Sequence, residues 1–214
     1  MSSEDMLKFI IGISSAIFSF CLGLIYNTRL QKKQFNLAHR SFAAISIVYF
    51  KDFHDVYKSE KARLIVTRNY SDIRDEVNSN SSAFPVLPKL PFLSVKNIGP
   101  GTILQCHLYA KVRVAADDFN IPDYDRTFET VVDFIEKDET VLLCLADLKM
   151  PPGFALHDEV DIRYRTQANE KIEVSMRFSE HALTIEHKVK GKLFDKKLTK
   201  VALDKGLTWE KPNK

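Results

Sequence analysis

Eighteen consecutive residues, Phe9 to Tyr26 (FIIGISSAIFSFCLGLIY), carry no charge. At about 1.5 Å of rise per residue, a helix over this run is about 27 Å long, close to the hydrocarbon thickness of a bilayer. A cleaved secretory signal wants a positive start and a small-x-small exit. Here Glu4 and Asp5 precede the run, and Tyr26-Asn27-Thr28-Arg29 follows it. The run therefore reads as an uncleaved single-pass transmembrane helix, with residues 1–26 forming a short tail and the anchor.

The flanks orient it. Lys8 is the one basic residue ahead of the run, whereas Arg29, Lys32, Lys33 and Arg40 follow it, placed to face anionic headgroups. The expectation is a cell (inner) membrane protein with its N-terminus outside and its C-terminal domain cytoplasmic. The sequons at Asn69-Tyr70-Ser71 and Asn80-Ser81-Ser82 are then accidental. Within the span, Ser15, Ser19 and Gly23 recur every fourth residue, and Gly12 with Ala16 forms a neighbouring small pair. Small side chains let helix backbones approach closely in lipid, so this stripe suits self-association or docking on a partner helix.

Residues 27–44 mix Leu30, Phe35, Leu37, Ala38 and Phe42 with Gln, Lys and Arg, as a basic helical stalk would. The apolar period then falls to two, which predicts strands over 45–190. Ile45, Ile47 and Tyr49 alternate first, then Ala62, Leu64 and Val66. Ser71 to Leu90, rich in charge, Ser and Asn and then in proline (Pro85, Pro88 and the following Pro91), reads as a loop or a strapped-down extended segment. From Ile103 onward, Leu104, Cys106, Leu108, Ala110, Val112 and Val114 alternate with polar residues, as in a sheet with one wet face. Val141 to Leu145 reads as a strand buried on both sides. A hairpin is predicted across Gln167-Ala168-Asn169, and a last strand at Leu183 to Val189. Eight or nine strands without an intervening helix predict a mainly β fold, an antiparallel β-sandwich, with a β-barrel as the alternative.

The segment Leu93-Ser94-Val95-Lys96-Asn97-Ile98-Gly99-Pro100-Gly101 follows the apolar anchor and a stalk containing Gln34, Leu37, Ala38, His39 and Arg40. In this arrangement the chain resembles a loose class of uncharacterised bacterial single-pass membrane-anchored proteins. The resemblance implies a cytoplasmic immunoglobulin-like sandwich and no known activity; Thr102 departs from the small residue usual after the second glycine. Physically, Asn97, Gly99 and Gly101 suit a structural turn, with glycines for positive φ and Asn97 closing the turn through its side chain. A phosphate cradle would need a following helix and a lysine, and neither is present.

Other chemistry finds little support. The six histidines are scattered without a zinc spacing, and no Gly-x-Ser-x-Gly elbow exists. Asp117, Asp118, Asp123 and Asp125 lack the spacing of a calcium loop. Cys106 and Cys144 fall in apolar strands and read as reduced core residues, which could pair only if the domain faced an oxidising compartment. The expectation is no enzyme, no metal and no cofactor. Residues 191–214 form a Lys-rich segment; from Lys188 onward nine lysines stand against three acidic residues, while the whole chain carries only +3. Such lysines suit a protected edge strand or a lipid-facing patch better than nucleic acid, since arginine is absent there.

Two functions fit. One is a membrane-anchored, non-enzymatic adaptor or accessory subunit whose sandwich binds a protein partner. The other is a ligand-sensing single-span effector, of the antiphage type, that oligomerises through its anchor and perturbs the membrane. In the latter the sandwich takes a small-molecule ligand.

Overall fold

The computed structural model describes residues 3–50, 62–79, 90–115, 124–146, 155–178, 182–191 and 194–204. The chain divides into two compact units, Met1–His39 and Arg40–Lys214.

The first unit is one helix, α1, Ser3–Ala38. It passes through residues 26 and 27 without a break, so anchor and stalk are continuous. At its end His39 donates its backbone N–H to the Phe35 carbonyl at 3.1 Å and stacks on the Phe35 ring at 4.2 Å. The helical stalk expected to reach residue 44 thus stops at Ala38, because Ala43 and Ala44 already belong to a strand. From Ile11 to Ala38 the helix is long and apolar enough to cross a membrane, and none of its most apolar stretch is buried.

The second unit is a two-sheet sandwich. One sheet has four strands: β1 (Ala43–Phe50), β2 (Ala62–Ile65), β3 (Leu90–Asn97) and β6 (Thr140–Cys144), in the order β1-β3-β6-β2. The other has six: β4 (Ile103–Ala115), β5 (Tyr124–Ile135), β7 (Ala155–Thr166), β8 (Lys171–Phe178), β9 (Ala182–Val189) and β10 (Lys196–Asp204), in the order β10-β9-β8-β7-β4-β5. Neither sheet closes on itself, so the sandwich holds and the barrel alternative does not. Pairing is antiparallel except between β2 and β6, which run parallel with Leu64 opposite Leu142. β10 pairs with β9 from Lys196 to Asp204, so residues 196–204 of the expected Lys-rich segment form an edge strand, after the strand expected to be the last; residues 192–193 and 205–214 lie outside the described residues.

Alternation explains the core. Leu93, Val95, Ile103, Leu108, Val112, Ile162, Ile172 and Val174 fill the space between the sheets. Residues of opposite parity on the four-stranded sheet, including Phe92, Leu142 and Cys144, form a second cluster on its far face with Leu90, Tyr70 and Ile73. Tyr70 and Ile73 lie on a helix, α2 (Arg68–Ser79), which covers that face. β3 and β6 are apolar on both sides for this reason, as the run Val141 to Leu145 predicts.

α2 corrects the loop reading of Ser71 to Leu90 as far as residue 79; residues 80–89 lie outside the described residues. Thr67 caps it, its Oγ1 accepting the Tyr70 N–H at 3.1 Å. Asn69, in the first turn, donates from Nδ2 to the Ala146 carbonyl, so this sequon asparagine is a structural tie.

A second correction concerns β4. Ile103 is fully buried and Leu104 is 36% exposed, the reverse of the expected phase. The cause is a bulge: the β4–β7 register shifts between Leu104 and His107, where Gln105 adopts φ 48°. From Cys106 to Val112 the alternation runs as expected.

Candidate functional site

On α1, Gly12, Ser15, Ser19 and Gly23 are all exposed. A Cβ added at Gly12 or Gly23 would meet nothing within 4 Å, and Ser15 folds its hydroxyl back onto the Gly12 carbonyl at 3.0 Å. At about 100° of rotation per residue, Gly12, Ala16, Ser19 and Gly23 share one narrow stripe. Arg29, Lys32 and Lys33 are exposed farther along the same helix.

Arg40 has a different setting. Its guanidinium grips Glu170 with Nε at 2.8 Å and Nη2 at 2.6 Å, and the two side chains are only 15% and 10% exposed. The hydrogen bond to Glu170 pushes the Arg40 pKa up, against the opposing pull of burial. Its charge is thus engaged inside the β unit. The next residues are pinned as well. Tyr164 donates its buried hydroxyl to the Ser41 carbonyl at 3.0 Å and accepts the Ala43 N–H at 3.2 Å. His187 Nε2 lies 3.1 Å from the Ala43 carbonyl.

The turn at 97–101 completes this clamp. Asn97 is fully buried; its Nδ2 donates to the Gly101 and Ile135 carbonyls at 2.8 and 3.0 Å, and its Oδ1 accepts the Gly99 N–H at 3.1 Å. Ile98 N–H donates to the Phe42 carbonyl at 2.9 Å. The need for glycine at 99 is one of space, where positive φ was expected. A Cβ there would stand 2.4 Å from the Ser41 Cα and 2.7 Å from the Phe42 nitrogen, both backbone atoms.

Cys106 and Cys144 are buried, free thiols. Burial pushes Cys106 up to about 12 and Cys144 up to about 11, so neither supplies a thiolate near neutral pH. They belong to clusters on opposite faces of the four-stranded sheet, which rules out the disulfide that a reversed topology would have invited. Asp125 is held by Lys111 at 2.8 Å and Arg113 at 3.2 Å, and the hydrogen bonds from Lys111 and then Arg113 lower its pKa. Asp117, Asp118 and Asp123 lie outside the described residues. Among the described residues no group of three His, Cys, Asp or Glu is placed to hold a metal ion.

The outer face of the six-stranded sheet is built from charge. Arg177 binds Asp161 with two contacts at 3.0 Å and Glu159 at 2.6 Å. Arg163 and Lys190 share Glu173 at 3.0 and 2.7 Å, and Lys190 also meets Asp195 at 2.8 Å. Glu186 takes both Lys188 and Lys197. Several lysines of the basic C-terminal stretch are therefore neutralised locally. Near Gln105, a cavity of about 220 Å³ is lined by His107, Arg163, Arg165, Lys171, Glu173 and Lys190. No local sequence pattern marks this cluster, because its members come together only through the β4–β7 and β7–β8 pairings.

No protein-family model, curated protein or solved structure matches the chain.

Proposed function

We propose that the protein is a membrane-anchored, non-enzymatic adaptor or accessory subunit, whose cytoplasmic β-sandwich binds a protein partner at the membrane. The observation that carries this reading is α1. Its long apolar stretch is wholly unburied, and that much exposed apolar surface calls for lipid or a partner helix. Exposed Arg29, Lys32 and Lys33 just beyond the apolar run favour the cytoplasmic side for the sandwich. The clamp on residues 40–43 supports an anchored role as well, since it ties the first residues after the helix into the sandwich.

A second reading is favoured by the open surface at Gly12 and Gly23: an effector that oligomerises through this stripe when the sandwich binds a ligand. The experiment separating the two is purification of the full chain from its native membrane in mild detergent, with determination of complex mass. A stoichiometric second protein supports the adaptor. A homo-oligomer alone, dispersed by Gly12→Leu with Gly23→Leu, supports the effector and contradicts the adaptor.

A further inference from the structure

We infer that the outer face of the six-stranded sheet holds an anion site for a phosphate group, centred on Arg165 and Lys171. The β7–β8 ladder leaves one pair of like charges uncompensated. Along it, outward-facing partners are complementary: Glu159 stands opposite Arg177, Asp161 opposite Ser175, and Arg163 opposite Glu173. Each of these pairs is closed by an ion pair or hydrogen bond, at 2.6, 2.9 and 3.0 Å respectively. Arg165 opposite Lys171 is the exception. Like charges directly opposite on a sheet destabilise it, and an anion between them turns the repulsion into two attractions.

The surroundings are built to the same end. Arg165 and Lys171 are exposed, and neither has an ion pair among the described residues. With Arg163 and Lys190 they place four cations around the 220 Å³ cavity, whose one lining carboxylate, Glu173, is already shared by Arg163 and Lys190. A second cavity of about 360 Å³ adjoins the first; Gln105 and Arg165 line both, and Asp133 is the one carboxylate lining the second. Gln105 sits at the bulge with φ 48°, a conformation seldom adopted by residues other than glycine. The bulge exposes Leu104 and Gln105 consecutively, bringing an amide donor beside the cations. A guanidinium fork, two ammonium groups and an amide match the several oxygens and multiple charge of a phosphate better than a single carboxylate. The phosphate could come from a lipid headgroup or from a soluble ligand, and the chemistry of recognition is shared.

The test uses the full chain. In phosphatidylcholine nanodiscs it is titrated calorimetrically with inorganic pyrophosphate; in mild detergent, native mass spectrometry compares retention of phosphatidylglycerol with that of phosphatidylcholine. Arg165→Gln with Lys171→Gln should weaken binding about tenfold, while the equal charge change Lys196→Gln with Lys200→Gln on β10 should leave it within about twofold. Glu173→Gln frees Arg163 and leaves Lys190 with Asp195 as its one remaining carboxylate, and should tighten binding about threefold. The thermal midpoint of the Arg165/Lys171 variant should hold or rise, because a repulsion is removed. Pyrophosphate binding alone marks a soluble ligand and phosphatidylglycerol retention alone marks lipid; either supports the site when the Arg165/Lys171 variant weakens it, and retention unchanged in that variant, as Arg29, Lys32 and Lys33 alone would give, counts against it. Binding of neither, or equal loss in both double variants, overturns it.

Discussion

Arg40 and Lys33 stand in one basic stretch of sequence and have different roles. Lys33 projects from an exposed helical surface, whereas Arg40 makes a two-point, largely shielded contact with Glu170. Surface charges contribute little to folding, and truncating one partner of a shielded pair leaves the other uncompensated. Arg40→Gln should therefore destabilise the β unit by about 2 kcal/mol, and Lys32→Gln with Lys33→Gln by less than about 0.5 kcal/mol, in urea unfolding of the full chain in detergent. Equal effects would contradict a separate role for Arg40. The two thiols give a pH dependence. Their folded pKa values, about 12 for Cys106 and about 11 for Cys144, lie above the value of about 8.5 for an unfolded thiol. Their stabilisation is complete below about pH 8.5 and is lost as pH rises toward the folded values, with a slope approaching about 1.4 kcal/mol per pH unit for each thiol. Cys106→Ala with Cys144→Ala should show a shallower loss of stability between about pH 9 and 11 than the parent chain; equal slopes would contradict the assignment. At this scale the sequence was informative where chemistry is local. Asn97 closes a turn with its own side chain, as its type suggests. The requirement at Gly99 was not legible, because it comes from Ser41 and Phe42, far away in the chain.

Among the elements, strands with one wet face announced themselves through alternation, and the β7–β8 hairpin falls where its turn residues place it. α2 did not. Its composition is that of a loop, and its helical signal is confined to the Thr67 cap and to apolar residues at 70, 73 and 77. Tertiary burial decides the matter: Tyr70 is fully buried and meets the Phe92 ring edge-on at 6.4 Å. The parallel β2–β6 pair was illegible for a related reason, since no local pattern encodes a partner about eighty residues away. If packing holds α2 in place, Tyr70→Ala should cost about 3 kcal/mol or more, and Thr67→Ala about 1 kcal/mol. The reverse order in urea unfolding would mean that local capping, and not the far-face cluster, maintains the helix. The β4 bulge shows where alternation fails: a single left-handed residue, Gln105, puts Ile103 and Leu104 out of phase with the rest of their strand, and it does so beside the cationic cavity.

For the whole molecule, an unburied apolar helix followed at once by a clamped sandwich gives the adaptor proposal its physical basis. The charge asymmetry around the apolar run gives that proposal its direction, with the sandwich proposed to lie on the cytoplasmic side. The most direct measurement is protease accessibility of the sandwich in right-side-out and inverted membrane vesicles, followed with an antibody to the C-terminal unit. The sandwich should be protected in right-side-out vesicles and digested in inverted ones, and the intact chain should stay in the membrane pellet. Digestion in right-side-out vesicles, or recovery of the chain in the soluble fraction, would contradict the proposal.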